Sequence, residues 1–128
     1  MAWYFKDEAN DYANAVRDSL GKSRAAVPSL WPLEVANTIL VGERRRRSTQ
    51  AQAATWTALL SSLPITVDEE TTQRAFSDIL NLGRALHLSA YDAAYLELAM
   101  RRGLPLATLD DKLKAMAMAV GVQIYSAA

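Results

Sequence analysis

The order of segments along the chain predicts an α/β fold: a short parallel sheet flanked by helices, in a single domain over residues 1–128. Short apolar or β-branched runs alternate with longer segments of helical period, the pattern of a parallel sheet covered on both faces. A length of 128 residues is enough for one domain with a usable core. Hydrophobic residues make up 51% and charged residues 22%, the balance of a folded globular chain rather than a disordered one.

The elements follow in order. "EANDYANAVRDSLGK" places Ala13, Val16 and Leu20 at helical spacing, with Gly21 as a stop. "AAVPSLW" is a short apolar strand ending near Pro28. "WPLEVANTILVGERRRR" predicts a helix with Pro32 in its first turn and Leu33, Val35, Ala36, Ile39 and Leu40 on a broad apolar face. "TQAQAATWTALLSSL" predicts another, with Ala53, Trp56, Leu59, Leu60 and Leu63 inward. "PITV" has the β-branched content of a strand. "DEETTQRAFSDILNLGRALHL" opens with acids, as a helix N-terminus prefers, and its apolar positions include Ala75, Phe76, Ile79, Leu80 and Leu82. Ser89 opens the helix "AYDAAYLELAMRR", in which Tyr91, Ala94, Tyr95 and Leu98 share a face, Glu97 can pair with Arg101, and Gly103 is the stop. "LPLAT" is a strand, "DDKLKAMAMAV" a short helix and "VQIY" a last strand. Right-handed crossovers would bring the strands' C-terminal ends to one rim, where ligand sites of open α/β sheets lie.

Composition narrows the function classes. Fourteen basic residues balance fourteen acidic ones, so no whole-molecule field draws the chain to nucleic acid or membrane. Without cysteine there are no disulfides or thiolate metal sites. His87 is the single histidine, which argues against a His-rich zinc site and a Ser-His-Asp triad. "MAWYFKDEAN" does not read as a signal peptide, and no apolar run is long enough to span a bilayer, so a cytoplasmic protein is the expectation.

The carboxylates carry the candidate chemistry. Asp110 follows the strand "LPLAT" and stands at the rim, where it or Asp111 could equally cap the next helix. Asp92 lies three residues after Ser89, the capping-box spacing. Its helix is apolar nearly all round, so an unpaired charge at its start would be costly. Glu34 sits between Leu33 and Val35 in the first turn of an apolar helix, with Asn37 three residues on. The macrodipole explains an acid at a helix start; it does not explain one enclosed by apolar neighbours. Converging carboxylates repel unless protonated or neutralised, and a hard divalent ion neutralises them. All-oxygen donors select Mg²⁺ or Mn²⁺ over zinc, ions suited to phosphodiester cleavage. Arg44, Arg45, Arg46 and Arg47 form the one basic run, read either as a solvated helix C-terminus or as a phosphate-contacting patch for RNA. Trp3, Trp31 and Trp56 are expected in a core or interface. Ser89 and Thr108 read as caps or turn residues, and His87 as a helix C-terminal residue.

"VPSLWPLEVANTIL", "LSAYDAAYLELAMRRGLPLATLD" and the terminal "GVQIY" closely resemble the PIN-domain ribonucleases of the VapC toxin family, and the resemblance runs through nearly the whole chain in order. It implies a PIN fold around a parallel sheet and Mg²⁺- or Mn²⁺-dependent cleavage of RNA such as tRNA or rRNA. It also implies neutralisation by a VapB-type antitoxin, and a homodimer as the assembly. Position by position, the acid of "WPLEVAN" is Glu34, that of "SAYDAAYL" is Asp92 and that of "LATLD" is Asp110, with Asp111 as a further neighbour. The resemblance makes these catalytic metal ligands without excluding their capping roles.

One departure from the family bears on activity. The family usually begins with a short strand ending in an aspartate, just before the segment that matches "AWYFKDEA"; in this chain Met1 stands where that segment starts. The fold expected is therefore a PIN-like domain lacking the first strand, with one ligand fewer and little or no cleavage unless an upstream extension restores both. Two functions compete: a metal-dependent endoribonuclease toxin, or a truncated, inactive PIN domain that keeps antitoxin binding or dimerisation. A housekeeping RNA-processing nuclease is a third reading.

Overall fold

A computed structural model describes Asp18 and residues 24–125. The helix expected around Ala13, Val16 and Leu20, and Trp3, lie outside the described residues. The architecture is α/β, with a short parallel two-stranded sheet and helices around it. Strand β1 is Ala25–Val27 and β2 is Ile65–Val67. The helices are α1 (Trp31–Arg44), α2 (Gln50–Ser62), α3 (Thr71–Arg74), α4 (Leu80–Leu86), α5 (Ala90–Arg102) and α6 (Asp111–Ala119). A π-type turn, Ala75–Ile79, joins α3 to α4 without a break. The β1–β2 pairing is bracketed by Ala25 N–H donating to the Pro64 carbonyl at 3.0 Å and Asp68 N–H to the Val27 carbonyl at 2.7 Å. Among the described residues no helix is long and apolar enough to cross a membrane.

The chain divides into two compact units, the first holding residues 30–66 and β1 up to Ala26, the second residues 27–29 and 67–125. In the first, Val35, Trp56 and Leu60 are buried, with Trp31, Ile39, Leu63 and Ile65 packed against them. Thr49 starts α2 with a reciprocal capping box: its hydroxyl accepts from Gln52 N–H at 3.2 Å, and its own N–H donates to the Gln52 side chain at 2.9 Å. The apolar faces are narrower than the periodicity predicts. Leu33 is 74% exposed, and Leu40 and Leu59 are also exposed. Among the described residues, Trp31, Val35 and Ile39 of α1 meet Trp56 and Leu60 of α2 in this small cluster, and Leu33, Leu40 and Leu59 lie outside it.

The second unit is built on α5, whose Ala93, Ala94, Leu96, Leu98 and Ala99 are buried. Leu96 and Ala99 join Leu106, Leu113, Ala117 and Val122 in one cluster. Gly83, within α4, lets the following turn approach closely: a Cβ there would stand 3.1 Å from the Leu88 carbonyl oxygen. The strands expected at "LPLAT" and "VQIY" reduce to a single parallel bridge between Leu106 and Ile124. Pro105 has no N–H to extend the ladder, and after Leu106 the chain turns toward α6 through Thr108. Phe76, expected on the apolar face, is 92% exposed, while Ile79 is buried. The extra residue of the π turn shifts the helical register, so Ile79 takes the inward place and Phe76 swings out.

Candidate functional site

Asp92 occupies the first turn of α5. The Ser89 hydroxyl accepts from Asp92 N–H at 3.1 Å, which makes Ser89 the cap, as expected. The reciprocal half of the capping box is missing. The half-buried Asp92 carboxylate has no hydrogen-bond or ion-pair partner among the described residues. Asp110 is the N-cap of α6: its Oδ1 accepts from Leu113 N–H at 2.8 Å, and its own N–H donates to the Thr108 hydroxyl at 3.1 Å. The capping reading of Asp110 thus holds, and its second oxygen remains without a partner among the described residues. Asp111, the exposed first residue of α6, is likewise unpaired among them. Lys112 Nζ donates to the His87 carbonyl at 2.7 Å, tying the first turn of α6 to the turn that leads into α5. His87 ends α4 in the left-handed region, with φ 54°.

Glu34 lies in the first turn of α1, in the first unit. Its neighbours correct the sequence picture of an enclosed acid: Val35 is buried, but Leu33 and Asn37 are exposed, so Glu34 sits half-buried at the margin of the core. The oxygen donors of Glu34, Asp92, Asp110 and Asp111 suit a hard divalent ion. Among the described residues, however, no three Asp, Glu or His side chains are grouped closely enough to hold one. The described residues by themselves do not constitute a metal centre.

The largest electrostatic feature has no counterpart in the sequence pattern. Asp68, which by sequence is a helix-start acid, is 1% exposed and paired with two arginines. Arg101 spans Asp68 with a two-bond fork, from Nη2 at 2.7 Å and from Nη1 at 3.1 Å. A second fork, from Nε at 2.9 Å and Nη2 at 3.1 Å, holds Glu97, and Nη1 also reaches Glu70 at 3.0 Å. All five guanidinium N–H groups are thus used. Arg102 adds a 3.1 Å bond to Asp68, and the Thr71 hydroxyl donates to Asp68 at 3.0 Å while accepting from Ser29 N–H at 3.1 Å. Arg74 extends the network to Asp78 at 2.7 Å and Glu70 at 3.5 Å. The hydrogen bonds from Arg101 hold the Asp68 carboxyl down at about 2, against the opposing push of its burial. The two carboxylates raise the Arg101 guanidinium further above its ordinary value. The i,i+4 spacing gave the Glu97–Arg101 pair; nothing in the sequence points from Asp68 to a residue 33 positions away.

Two kinds of acid therefore coexist in the second unit. Asp68 and Glu97, both buried, are fully neutralised by arginine, whereas Asp92, at the start of the same helix as Glu97, has no cation beside it among the described residues. In the first unit, Arg44 to Arg47 are all exposed, and the guanidinium groups of Arg44, Arg45 and Arg46 have no partner among the described residues. Arg46 has φ 59°, the left-handed position that closes α1, while Arg47 N–H donates to the Gly42 carbonyl at 2.8 Å.

Compared with known families, residues 1–118 match the PIN domain. No curated protein matches the chain.

Proposed function

Because the chain belongs to the PIN domain family, generally a nuclease fold whose members use divalent metal ions, we propose that it is an endoribonuclease toxin of the VapC type. Its substrate is RNA, cut at phosphodiester bonds in the cytoplasm with Mg²⁺ or Mn²⁺. Glu34, Asp92 and Asp110 are the catalytic carboxylates, with Asp111 beside them. The observation that carries this reading is the contrast between acids: the buried carboxylates Asp68 and Glu97 are paired with arginine, while Asp92 and one oxygen of Asp110, at the N-termini of two helices, have no partner among the described residues. An open carboxylate oxygen can accept a hydrogen bond from an attacking water and take its proton. The helix N-termini around it favour negative charge, which suits these groups to act as bases or ligands. The exposed cations of Arg44, Arg45 and Arg46, without a partner among the described residues, suit the phosphates of a single strand.

An antitoxin and a second copy are the proposed protein partners. The deciding experiment is cleavage of a structured RNA by purified, antitoxin-free protein, with Mg²⁺ or with chelator. With an upstream strand ending in aspartate supplied, cleavage that needs the ion and disappears in both Asp92→Asn and Asp110→Asn is the expected result. Cleavage that persists in either variant would overturn the assignment of that residue.

A further inference from the structure

The placement of Asp92 raises a physical question. A carboxylate at a reactive site has to be held to within a few tenths of an ångström, since a small misplacement costs about 10²-fold in rate. Asp92 rides on α5, whose buried surface includes three alanines, Ala93, Ala94 and Ala99, besides Leu96 and Leu98. Apolar contact is non-directional, and alanine offers no long side chain to lock a helix against sliding or turning. A rotation on the order of 20° would move a carboxylate standing about 5–6 Å from the helix axis by about 2 Å. Something directional has to set the register of α5.

The buried arginine network has the needed geometry. Arg101 sits at the other end of α5, nine residues and roughly 13 Å along the axis from Asp92. Its planar guanidinium makes one fork within the helix, to Glu97, and a second to Asp68, outside it. A plane held by two forks cannot rotate or slide without breaking hydrogen bonds in a water-poor place. Asp68 is itself held by Thr71, whose hydroxyl also takes the Ser29 N–H, so the outer anchor is fixed to the backbone of the turn after β1. We propose that Arg101, together with Asp68 and Glu97, is a positioning device: it fixes the axial and rotational register of α5 and thereby the place of the Asp92 carboxylate. This rests on the proposed role of Asp92. Arg101 itself touches no reacting atom; it acts through the helix.

The test separates register from mere stability. A buried ion-pair set replaced by apolar side chains of similar volume can be as stable as the original or more so. The triple variant Asp68→Leu, Glu97→Leu, Arg101→Met therefore keeps the packing while deleting every directional bond. Arg101→Lys keeps the charge but cannot form either fork. The readouts are thermal unfolding, kcat and KM on RNA, and the ¹³C carboxyl NMR signal of Asp92 in metal-free protein, assigned with Asp92→Asn. The expected result is a triple variant that unfolds at or above the wild-type temperature, with a shifted and broadened Asp92 signal. Its kcat falls about 10–100-fold while KM stays within about threefold. Arg101→Lys shows the same signal change.

A folded triple variant with the wild-type Asp92 signal and kcat would overturn the proposal. Should the triple variant not fold, Arg101→Lys and Glu70→Ala decide. The latter removes the Arg101 bond to the half-exposed Glu70 carboxylate together with its longer pairing to Arg74, and a smaller signal change in the same direction is expected. An unchanged Asp92 signal in both would overturn the idea. If wild-type protein cleaves no RNA, the functional reading fails, while the Asp92 signal still decides the positioning role.

Discussion

Asp68→Asn is the sharpest perturbation of this fold. It leaves shape nearly unchanged and removes one negative charge from a place that is 1% exposed. Three charge-assisted bonds are weakened, two from Arg101 and one from Arg102. Removing one partner of a buried ion pair costs about 3–5 kcal/mol. Here Arg101 keeps Glu97 and Glu70, and an asparagine oxygen still accepts one bond, so the cost falls at or just under the lower end, about 2–3 kcal/mol. The depressed carboxyl, a consequence of the same Arg101 bonds, is of the same order: from 3.8 down to about 2, at about 1.4 kcal/mol per pH unit, is about 2 kcal/mol. For a chain of this size that is a loss of roughly 6–10 °C in Tm at neutral pH.

The pH dependence supplies the signature. A carboxyl held below its ordinary value stabilises the fold fully above about pH 4, and this contribution is lost between about pH 4 and pH 2 as the folded state takes up the proton. The gap between wild type and Asp68→Asn, measured by urea unfolding, is therefore expected to be largest at pH 7, constant down to about pH 4, and to close toward pH 2. A gap below about 0.5 kcal/mol at pH 7, or one that does not narrow in acid, would refute the reasoning.

Other perturbations probe the remaining features. Asp110→Asn caps a helix as well as aspartate does, so unfolding is expected to be nearly unchanged while cleavage is abolished; a matching drop in stability would make Asp110 a cap and no more. Replacing Arg44 to Arg47 by alanine is expected to weaken RNA binding and to flatten its log–log salt dependence by about 0.7 for each phosphate no longer neutralised; an unchanged slope returns the run to the role of a solvated helix end. Arg46→Gly, which relieves a left-handed residue, is expected to raise stability by up to about 1 kcal/mol in denaturant unfolding. Gly103→Ala, at φ 64° with open space around the missing Cβ, is expected to lower it by about 1 kcal/mol on backbone grounds alone.

Much of the fold is legible without coordinates because it is local. Ser89 as cap of α5, Gly103 as its stop, Asp110 at the start of α6 and the Glu97–Arg101 pair all depend on residues within a turn of each other. So do the two short strands flanking the first pair of helices. The errors share one cause. Leu33, Leu59 and Phe76 have the right period for an inward face, yet whether a face is covered depends on what packs against it. The π turn that expels Phe76 is a register change that helical periodicity read in steps of 3.6 does not contain. For the site, sequence and resemblance supplied the names Glu34, Asp92 and Asp110; that the Asp92 carboxylate has no partner among the described residues became visible only once its surroundings were in place.

By itself the sequence determined the α/β class, the order of the helices, the caps at Ser89 and Asp110 and the family pattern, since each is written in spacings of a few residues. The tertiary structure alone decided which acids are structural, like Asp68, and which have no partner among the described residues, like Asp92. Asp68 and Arg101 are 33 residues apart, and their pairing is a product of chain folding rather than of any local rule. A carboxylate in sequence is only a charge; burial and the nearest cation decide whether it serves as a scaffold anchor, like Asp68, or stays available at a helix start, like Asp92.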